Sequence, residues 1–305
     1  MKALAVIAGI TLCSCLAAQN PGTGHASLVL KDTQRGNRKV PVEIYYPEES
    51  GASGISTTDP GNDRFPLICF GHGYLLSGIW YQHICDILVP QGYILILPNT
   101  ESGLFPSHET LGEDMSFALN EISRLGTDST FFLYDRIDTS MCMMGHSMGG
   151  GSLFLGAKIN GNIDAVVGLA PLDTRPSSAR AAASVTVPTL IFAGGNDCIT
   201  PVNEHQIPIY NSSASPDKTY IMIIGGTHCQ MGVSHPKCIV GEKMARCCAG
   251  ISEEEQLRIL TRYLIPWLGY FLKGETEDGV CFDLTLGSDN TVTYLQSRPL
   301  SVAVE

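Results

Sequence analysis

Charged residues are scarce in this sequence: Asp, Glu, Lys and Arg make up 16% of its 305 residues, against about 25% in an average globular chain. Together with 44% apolar residues, this composition excludes a disordered, highly charged protein. Basic residues number 19 against 30 acidic ones, and the net charge of -11 makes nucleic acid an unfavourable partner. No apolar run after Leu16 reaches the roughly 18 residues of a membrane-spanning helix, so we expect no transmembrane segment.

The first 18 residues have the pattern of an export signal. Lys2 is followed by an almost wholly apolar stretch to Leu16 and then by the small residues Ala17 and Ala18. These are the charged, hydrophobic and cleavage regions of a signal peptide, so we expect residues 1–18 to be removed and the protein to be secreted or periplasmic. Two alternatives stay open: a buried N-terminal helix, and a lipoprotein anchored at Cys15 through a lipobox-like segment at residues 12–15.

Cysteines are concentrated late in the chain. Cys69 and Cys142 lie inside apolar, strand-like runs, where a free thiol behaves as a small buried hydrophobe. In an exported protein the six late cysteines are expected to form disulfides, because no paired C-x-x-C spacing indicates zinc. Their connectivity stays open, and we expect neither a metal nor a cofactor. The six are Cys198, Cys229, Cys238, Cys247, Cys248 and Cys281.

Short apolar runs alternate with segments of helical spacing, which is typical of an α/β protein with a mostly parallel central sheet and helices on both faces. Predicted strands are Val40–Tyr46, Leu67–Phe70, Tyr93–Leu97, Thr139–Met144, Ala165–Leu169, Thr189–Ala193 and Thr219–Ile224. Predicted helices are Ile79–Val89, Leu111–Leu125, Met148–Lys158, Ser177–Ala183, Asn203–Tyr210 and Glu253–Lys273, the last kinked or interrupted at Pro266.

The chain has no internal repeat and no second domain boundary, so we expect one domain over residues 26–273. A polar loop, Gly51–Arg64, separates two of its strands, and residues 229–248 form a cysteine-rich insertion. Residues 274–305 are predicted to be a tail or a small hairpin with weak strand signals at Cys281–Leu286 and Thr291–Leu295. We expect the protein to be a monomer.

A nucleophile motif follows one of the predicted strands. Residues 145–149 read Gly-His-Ser-Met-Gly and fit G-x-S-x-G, with the strand Thr139–Met144 before them and the helix Met148–Lys158 after them. In this arrangement a sharp turn exposes the serine hydroxyl at the carboxyl edge of the sheet. The context predicts that Ser147 is a catalytic nucleophile.

A serine nucleophile needs a base and an orienting carboxylate, which follow later strands in the order acid and then base. Asp197 comes after the strand Thr189–Ala193, and His228 comes after the strand Thr219–Ile224, both on glycine-flanked loops. We therefore predict Asp197 as the acid and His228 as the base. The alternatives are a turn-forming aspartate and an ordinary loop histidine.

Backbone donors for an oxyanion are expected at two places. One is the N–H of Met148, directly after the nucleophile, and the other is the N–H of Tyr74, in the glycine-rich loop after the strand Leu67–Phe70. The Tyr74 ring could instead be a simple packing aromatic. His146, next to Ser147 in sequence, is expected to pack or to form hydrogen bonds near the turn and not to act as the base.

These segments resemble the bacterial cutinase-like polyester hydrolases, which include poly(ethylene terephthalate) hydrolases. The resemblance rests on the motif around Ser147 with Gly150 and Gly151, on residues 185–193, on Asn196-Asp197 with Pro201-Val202, on residues 208–210 and on residues 225–228. It covers roughly residues 40 to 272. It implies an α/β-hydrolase fold, a triad of Ser147, Asp197 and His228, and an oxyanion hole formed by the backbones of Tyr74 and Met148. Dienelactone-hydrolase-like esterases, chlorophyllases and platelet-activating-factor acetylhydrolases share the broader pattern.

Two departures from that family bear on the substrate. The polyester hydrolases carry a tryptophan on the loop after the sixth strand, whereas residues 170–176 contain no aromatic residue. One branch of the family joins its acid and base loops by a disulfide, and the resemblance implies an equivalent bridge between Cys198 and Cys229. The second departure is the insertion after His228, which is a candidate lid.

The sequence therefore predicts a serine hydrolase of carboxylic esters that forms an acyl-enzyme. Small esters and aliphatic polyesters are the leading substrates. A lipase or acetylhydrolase that acts on lipids is one alternative, and a non-catalytic α/β-hydrolase scaffold used for binding is another.

Overall fold

The computed structural model describes residues 22–48, 63–231 and 235–300. The predicted signal peptide and Cys15 lie outside the described residues, as does the predicted loop from Gly51 to residue 62. Within the described part, no helix combines the length and the apolar character needed to cross a membrane.

Nine β-strands form one sheet in the part of the chain that the structure describes. The seven predicted strands are all present, with ends that differ from the prediction by at most two residues. The strands are β1 Gly22–Asp32, β2 Arg38–Glu48, β3 Phe65–Gly71, β4 Ile94–Pro98, β5 Ile137–His146, β6 Ala165–Leu169, β7 Thr189–Gly194, β8 Lys218–Ile223 and β9 Val292–Gln296.

The sheet is mostly parallel, as predicted. Its strand order is β1-β2-β4-β3-β5-β6-β7-β8-β9. The central strands β4, β3, β5, β6, β7 and β8 pair in parallel, while β1, β2 and β9 add antiparallel edges. The carboxyl ends of the parallel strands therefore meet along one edge of the sheet, where ligands of such folds bind. This is the α/β-hydrolase arrangement expected from the sequence.

Among the described residues, eight α-helices connect and cover the strands. The predicted helices are present with ends that shift by up to three residues, except that the last, predicted to end at Lys273, ends as an α-helix at Leu268. The first is continued at both ends by 3₁₀ turns at residues 78–81 and 89–91. The helices are α1 Gln82–Leu88, α2 His108–Leu125, α3 Met148–Ala157, α4 Ser178–Ala182, α5 Gln206–Ser212, α6 Pro236–Met244, α7 Glu253–Leu268 and α8 Thr276–Ser288.

Alternate residues of each central strand point to opposite sides of the sheet. Both sides are buried, each in its own hydrophobic core. In β3, Ile68 and Phe70 belong to one core, while Leu67 and Cys69 belong to the other. Cys69 is a free, fully buried thiol, and so is Cys142 in β5, which confirms that these two act as small core hydrophobes.

The C-terminal prediction is wrong in two respects, although β9 confirms the strand signal at Thr291–Leu295. Residues 276–288 form α8, so the strand expected at Cys281–Leu286 is helical, with Phe282 and Leu286 buried four residues apart on one face. Residues 292–296 form β9, which pairs with β8, so the sheet extends past residue 273 and the segment is not a free tail or hairpin. Pro266 lies inside α7, and the α-helix ends two residues later at Leu268 and is followed by a π-helical turn over Gly269–Lys273, in agreement with the predicted interruption.

Candidate active site

The turn around Ser147 joins β5 directly to α3. Ser147 has φ 54° and ψ −115°, a conformation that is strained for a residue with a side chain and is held only where the surroundings enforce it. Its backbone N–H donates to the carbonyl oxygen of Leu169 in β6 (2.9 Å), and its own carbonyl oxygen accepts from Gly151 in α3. The hydroxyl is therefore presented at the carboxyl edge of the sheet by the backbone itself.

Glycines allow α3 to approach the end of β3. A Cβ atom at Gly149 would lie 2.2 Å from the carbonyl carbon of Gly71, and one at Gly145 would lie 2.6 Å from the carbonyl carbon of Gly149. Contacts this short with backbone atoms cannot be relieved by moving a side chain. The close approach brings the loop after β3 next to the first turn of α3.

We expect Gly149→Ala to lower the free energy of unfolding by about 3 kcal/mol, since the added methyl group would force the two backbones apart. Chemical denaturation followed by circular dichroism measures this loss. Gly161→Ala is the matched control, because a Cβ there meets nothing within 4 Å, and its effect should stay within about 0.5 kcal/mol. Equal stability of the two variants would contradict the close approach.

The three predicted triad residues meet at this edge. His228 Nε2 lies 2.8 Å from Ser147 Oγ, and His228 Nδ1 lies 2.7 Å from Asp197 Oδ2. The side chains of His228 and Asp197 are 3% and 0% exposed. Asp197 lies on the loop after β7 and His228 on the loop after β8, as the sequence predicted. The arrangement can pass a proton from the serine hydroxyl to an oriented imidazole.

Asp197 accepts four hydrogen bonds. Besides His228, the backbone N–H groups of Ile199 and Thr200 donate to Oδ1 (2.8 and 2.7 Å), and the Thr200 hydroxyl donates to Oδ2 (2.8 Å). Burial on its own raises the pKa of Asp197, but the charge and hydrogen bond of His228 and the bonds from Thr200 outweigh it and lower that pKa below its usual value. Asp197 is therefore ionised at neutral pH.

The two predicted oxyanion donors lie on the neighbouring loops. Met148 is the first residue of α3, where helix N–H groups have no partner within the helix and the helix dipole favours a negative charge. Tyr74 lies in the loop after β3, and its ring is half-exposed while its hydroxyl donates to the carbonyl oxygen of Leu104 (2.8 Å). The ring is thus partly open to solvent beside Leu104, and the backbone of Tyr74 lies on the loop that approaches α3.

His72 anchors the loop that carries Tyr74. Its ring is fully buried, with Nδ1 2.9 Å from the carbonyl oxygen of Gly73 and Nε2 2.7 Å from that of Thr100. Burial lowers the pKa of His72, although the two carbonyl contacts partly offset this effect. The Gly73 carbonyl belongs to the same peptide group as the N–H of Tyr74, the predicted oxyanion donor, so His72 lies against the peptide that carries it.

The disulfides differ from the bridge that the family resemblance implied. Cys198 pairs with Cys247 and Cys229 pairs with Cys238, so no bridge joins Cys198 to Cys229. Both bridges instead tether the insertion after His228, one to the acid loop and one to the base loop. The expectation that all six late cysteines form disulfides is also wrong, because Cys248 is an exposed free thiol.

The insertion contains α6, which has no buried residue. At His235 the insertion contacts the segment that follows β3, because the His235 ring packs edge-on against Trp80 with 4.1 Å between ring centroids. Several large apolar side chains of these segments are exposed. They are Ile79, Trp80, Leu104, Phe105, Val240 and Met244.

Two residues that support the triad were missed by sequence reasoning. Thr200 binds the acid, and the pattern Asp197-x-x-Thr200 could have indicated it, since aspartate commonly caps the N–H groups two and three residues on. Gln256 in α7 is fully buried and binds both the N–H and the carbonyl oxygen of Thr227 (2.8 and 2.9 Å), which precedes the base. No local signal marks a glutamine 28 residues after the base.

Comparison with known proteins identifies relatives that are ester hydrolases by name. A family model described as PET hydrolase-like matches residues 42–278, close to the range of 40 to 272 expected from the sequence. The chain is 28% identical over 235 residues to Cutinase 1 of Thermobifida cellulosilytica, covering 76% of this chain and 74% of that protein. It is 30% identical over 187 residues to Cutinase est1 of Thermobifida alba, covering 61% and 56%.

A third relative is the Bis(hydroxyethyl) terephthalate hydrolase of Streptomyces coelicolor, 26% identical over 235 residues, covering 76% of this chain and 62% of that protein. The chain thus spans about half to three-quarters of the length of the curated relatives that it matches. The resemblance seen in the sequence motifs is confirmed.

Proposed function

This chain belongs to the PET hydrolase-like family, and we propose that it is a secreted serine hydrolase that cleaves carboxylic esters through an acyl-enzyme. The observation that carries the proposal is the double contact of His228, with Nε2 at 2.8 Å from Ser147 Oγ and Nδ1 at 2.7 Å from Asp197 Oδ2. The names of the relatives, cutinases and a bis(hydroxyethyl) terephthalate hydrolase, support the same chemistry.

In the proposed mechanism Ser147 Oγ attacks the ester carbonyl carbon while His228 Nε2 takes the hydroxyl proton. The negative charge that develops on the carbonyl oxygen is stabilised by the N–H groups of Tyr74 and Met148. His228 then gives its proton to the leaving alkoxide, and the acyl-enzyme remains. Water repeats the sequence, losing a proton to His228 and releasing the acid and free Ser147.

The surroundings of the site favour small esters and aliphatic polyesters. Tyr74 and the apolar side chains of Leu104 and Phe105 are exposed, and the Tyr74 hydroxyl donates to the carbonyl oxygen of Leu104, so these apolar groups suit an acyl chain near the surface of the protein. The loop over residues 170–176 has no aromatic side chain that could stack on a terephthalate ring. We therefore expect the enzyme to hydrolyse aliphatic esters in preference to aromatic ones.

Hydrolysis of p-nitrophenyl esters from acetyl to palmitoyl, together with one aliphatic and one aromatic polyester film, tests the proposal. We expect turnover of the short esters and release of acid from the aliphatic film. A fluorophosphonate probe should label the folded protein once per chain, at Ser147. Absence of both labelling and turnover would support a non-catalytic scaffold instead.

A lipid-directed hydrolase is the second candidate, and the insertion favours it. The helix α6 exposes Val240 and Met244 and is tethered next to the triad by the bridges Cys229–Cys238 and Cys198–Cys247. Such an arm could act as a lid that an apolar interface displaces. A rise in rate above the critical micelle concentration of a phospholipid or triglyceride would favour this candidate over the polyesterase.

A further inference from the structure

A second buried network runs beside the triad and uses none of its side chains. The Tyr81 hydroxyl oxygen accepts from the backbone N–H of Gly73 (2.9 Å) and lies 2.9 Å from His146 Nδ1. On the other side of the same ring, His146 Nε2 lies 3.1 Å from the carbonyl oxygen of His228. Tyr81 is fully buried and His146 is 2% exposed. The network therefore runs without a break from the loop after β3 to the base.

The partners fix the direction of each hydrogen bond. The carbonyl oxygen of His228 can only accept, so His146 Nε2 carries the proton. Burial, reinforced by the nearby His228 charge, lowers the pKa of His146 well below its usual value. The ring is neutral, its Nδ1 is an acceptor, and the Tyr81 hydroxyl donates to it. The Tyr81 oxygen then accepts from Gly73, which completes one continuous chain of three bonds.

We propose that Tyr81 and His146 are positioning residues that hold the oxyanion loop and the base in register with Ser147. Gly73 precedes Tyr74, whose N–H is the proposed oxyanion donor, and His146 directly precedes the nucleophile. His146 contacts the backbone carbonyl oxygen of His228. The ring of His228 is the part that accepts the Ser147 proton in the proposed mechanism. The inference rests on the proposed ester hydrolysis, since it assigns a role in that reaction to residues outside the triad.

The network should act on the rate of the chemical step. A displacement of about 1 Å between reacting groups lowers a rate about 100-fold, and the Ser147–His228 contact and the oxyanion donors both depend on loops that this chain of bonds joins. The proposed mechanism gives neither Tyr81 nor His146 a contact with the substrate, and both side chains are buried. We therefore expect kcat to fall when the chain is cut and KM to stay near its wild-type value.

Tyr81→Phe removes one oxygen atom and leaves the Gly73 N–H and His146 Nδ1 without their partner. For p-nitrophenyl butyrate we expect kcat about 10- to 100-fold lower with KM within about twofold of wild type. Tyr263→Phe is the matched control, because Tyr263 is equally buried and its hydroxyl also donates one hydrogen bond, to Asp289 (2.9 Å), far along the chain from the triad. It should lose thermal stability and keep its kcat.

Variants of His146 separate the two ends of the chain. His146→Leu cuts both bonds, whereas His146→Gln places an amide nitrogen near the position of Nε2 and can still donate to the His228 carbonyl. We expect His146→Gln to recover part of the kcat lost in His146→Leu, which also tests the inference if Tyr81→Phe does not fold. The double variant Tyr81→Phe/His146→Leu should be no slower than His146→Leu alone, because both changes cut one chain.

Three results would overturn the proposal: a kcat of Tyr81→Phe within twofold of wild type, an equal fall in Tyr263→Phe, or losses that multiply in the double variant. Wild type and Ser147→Ala are assayed alongside. If wild type and Ser147→Ala show the same activity, the result contradicts the proposed function and not the network. If wild type is active and the Tyr81 and His146 variants keep their kcat as Tyr263→Phe does, the result contradicts the network alone.

Discussion

We expect Ser147→Ala to lower kcat for p-nitrophenyl butyrate about a million-fold, since the predicted nucleophile and base act as one unit and removal of either costs nearly the whole contribution of the triad. Ser147 Oγ is the atom that His228 Nε2 faces at 2.8 Å. No other hydroxyl group is hydrogen-bonded to His228 Nε2 in the described part of the chain. The residual rate would come from substrate binding and the oxyanion donors alone.

The matched control for this variant is Ser152→Ala in the same helix, α3. Ser152 is fully buried, and its hydroxyl has no hydrogen-bond partner among the residues that the structure describes. It should keep both its stability and its kcat. Initial rates and fluorophosphonate labelling are measured on both variants, with circular dichroism to show that they are folded. Labelling of Ser147→Ala, or a rate within tenfold of wild type, would refute the assignment of the nucleophile.

The central sheet and the triad are predictable from the sequence for the same reason. Strands buried on both faces read as short apolar runs, and their order along the chain fixes which loops reach the carboxyl edge. Asp197 and His228 each follow such a run within a few residues, so their convergence on Ser147 requires only the α/β topology. The contacts of 2.7 and 2.8 Å agree with that prediction.

The edges of the sheet carry weaker signals. In β1 only three of eleven residues are buried, so its pattern resembles a polar segment, and its place in the sheet comes from pairing with β2. Residues 281–286 alternate apolar and polar side chains as a strand does, with Phe282, Leu284 and Leu286 at every second position. In α8 only Phe282 and Leu286 are buried, four residues apart on one helical face, while Leu284 is exposed. Alternation over so short a segment does not distinguish a strand from a helix.

Contacts between distant segments could not be predicted at all. The family resemblance implied a Cys198–Cys229 pairing, but Cys229 pairs with Cys238 nine residues later and Cys198 pairs across 49 residues with Cys247. The bonds of Tyr81 to Gly73 and His146 span 8 and 65 residues. Such pairs are set by the packing of loops against one another, which leaves no periodic trace in the sequence.

Asp197→Asn should lower kcat about 10,000-fold at neutral pH, because it changes the atom of His228 that carries the proton. The two oxygen atoms of Asp197 have different partners. Oδ1 accepts from two backbone N–H groups, those of Ile199 and Thr200, and only an oxygen can do so. The carbonyl oxygen of the introduced asparagine must therefore take this position, which directs its NH₂ group toward His228 Nδ1.

An NH₂ group facing Nδ1 makes that nitrogen an acceptor, so the proton moves to Nε2 and points at Ser147 Oγ. His228 can then no longer remove the serine proton, although every heavy atom of the site stays in place. Nitrogen NMR of His228 should show the proton on Nε2 in the variant and on Nδ1 in wild type at a pH where the ring is neutral. Asp289→Asn is the control: that carboxylate is 6% exposed and binds Arg262 and Tyr263 away from the triad, so the variant should lose stability and keep kcat. An Asp197→Asn enzyme that retains a tenth of its kcat with the proton still on Nδ1 would show that the acid does not orient the base in the way this geometry requires.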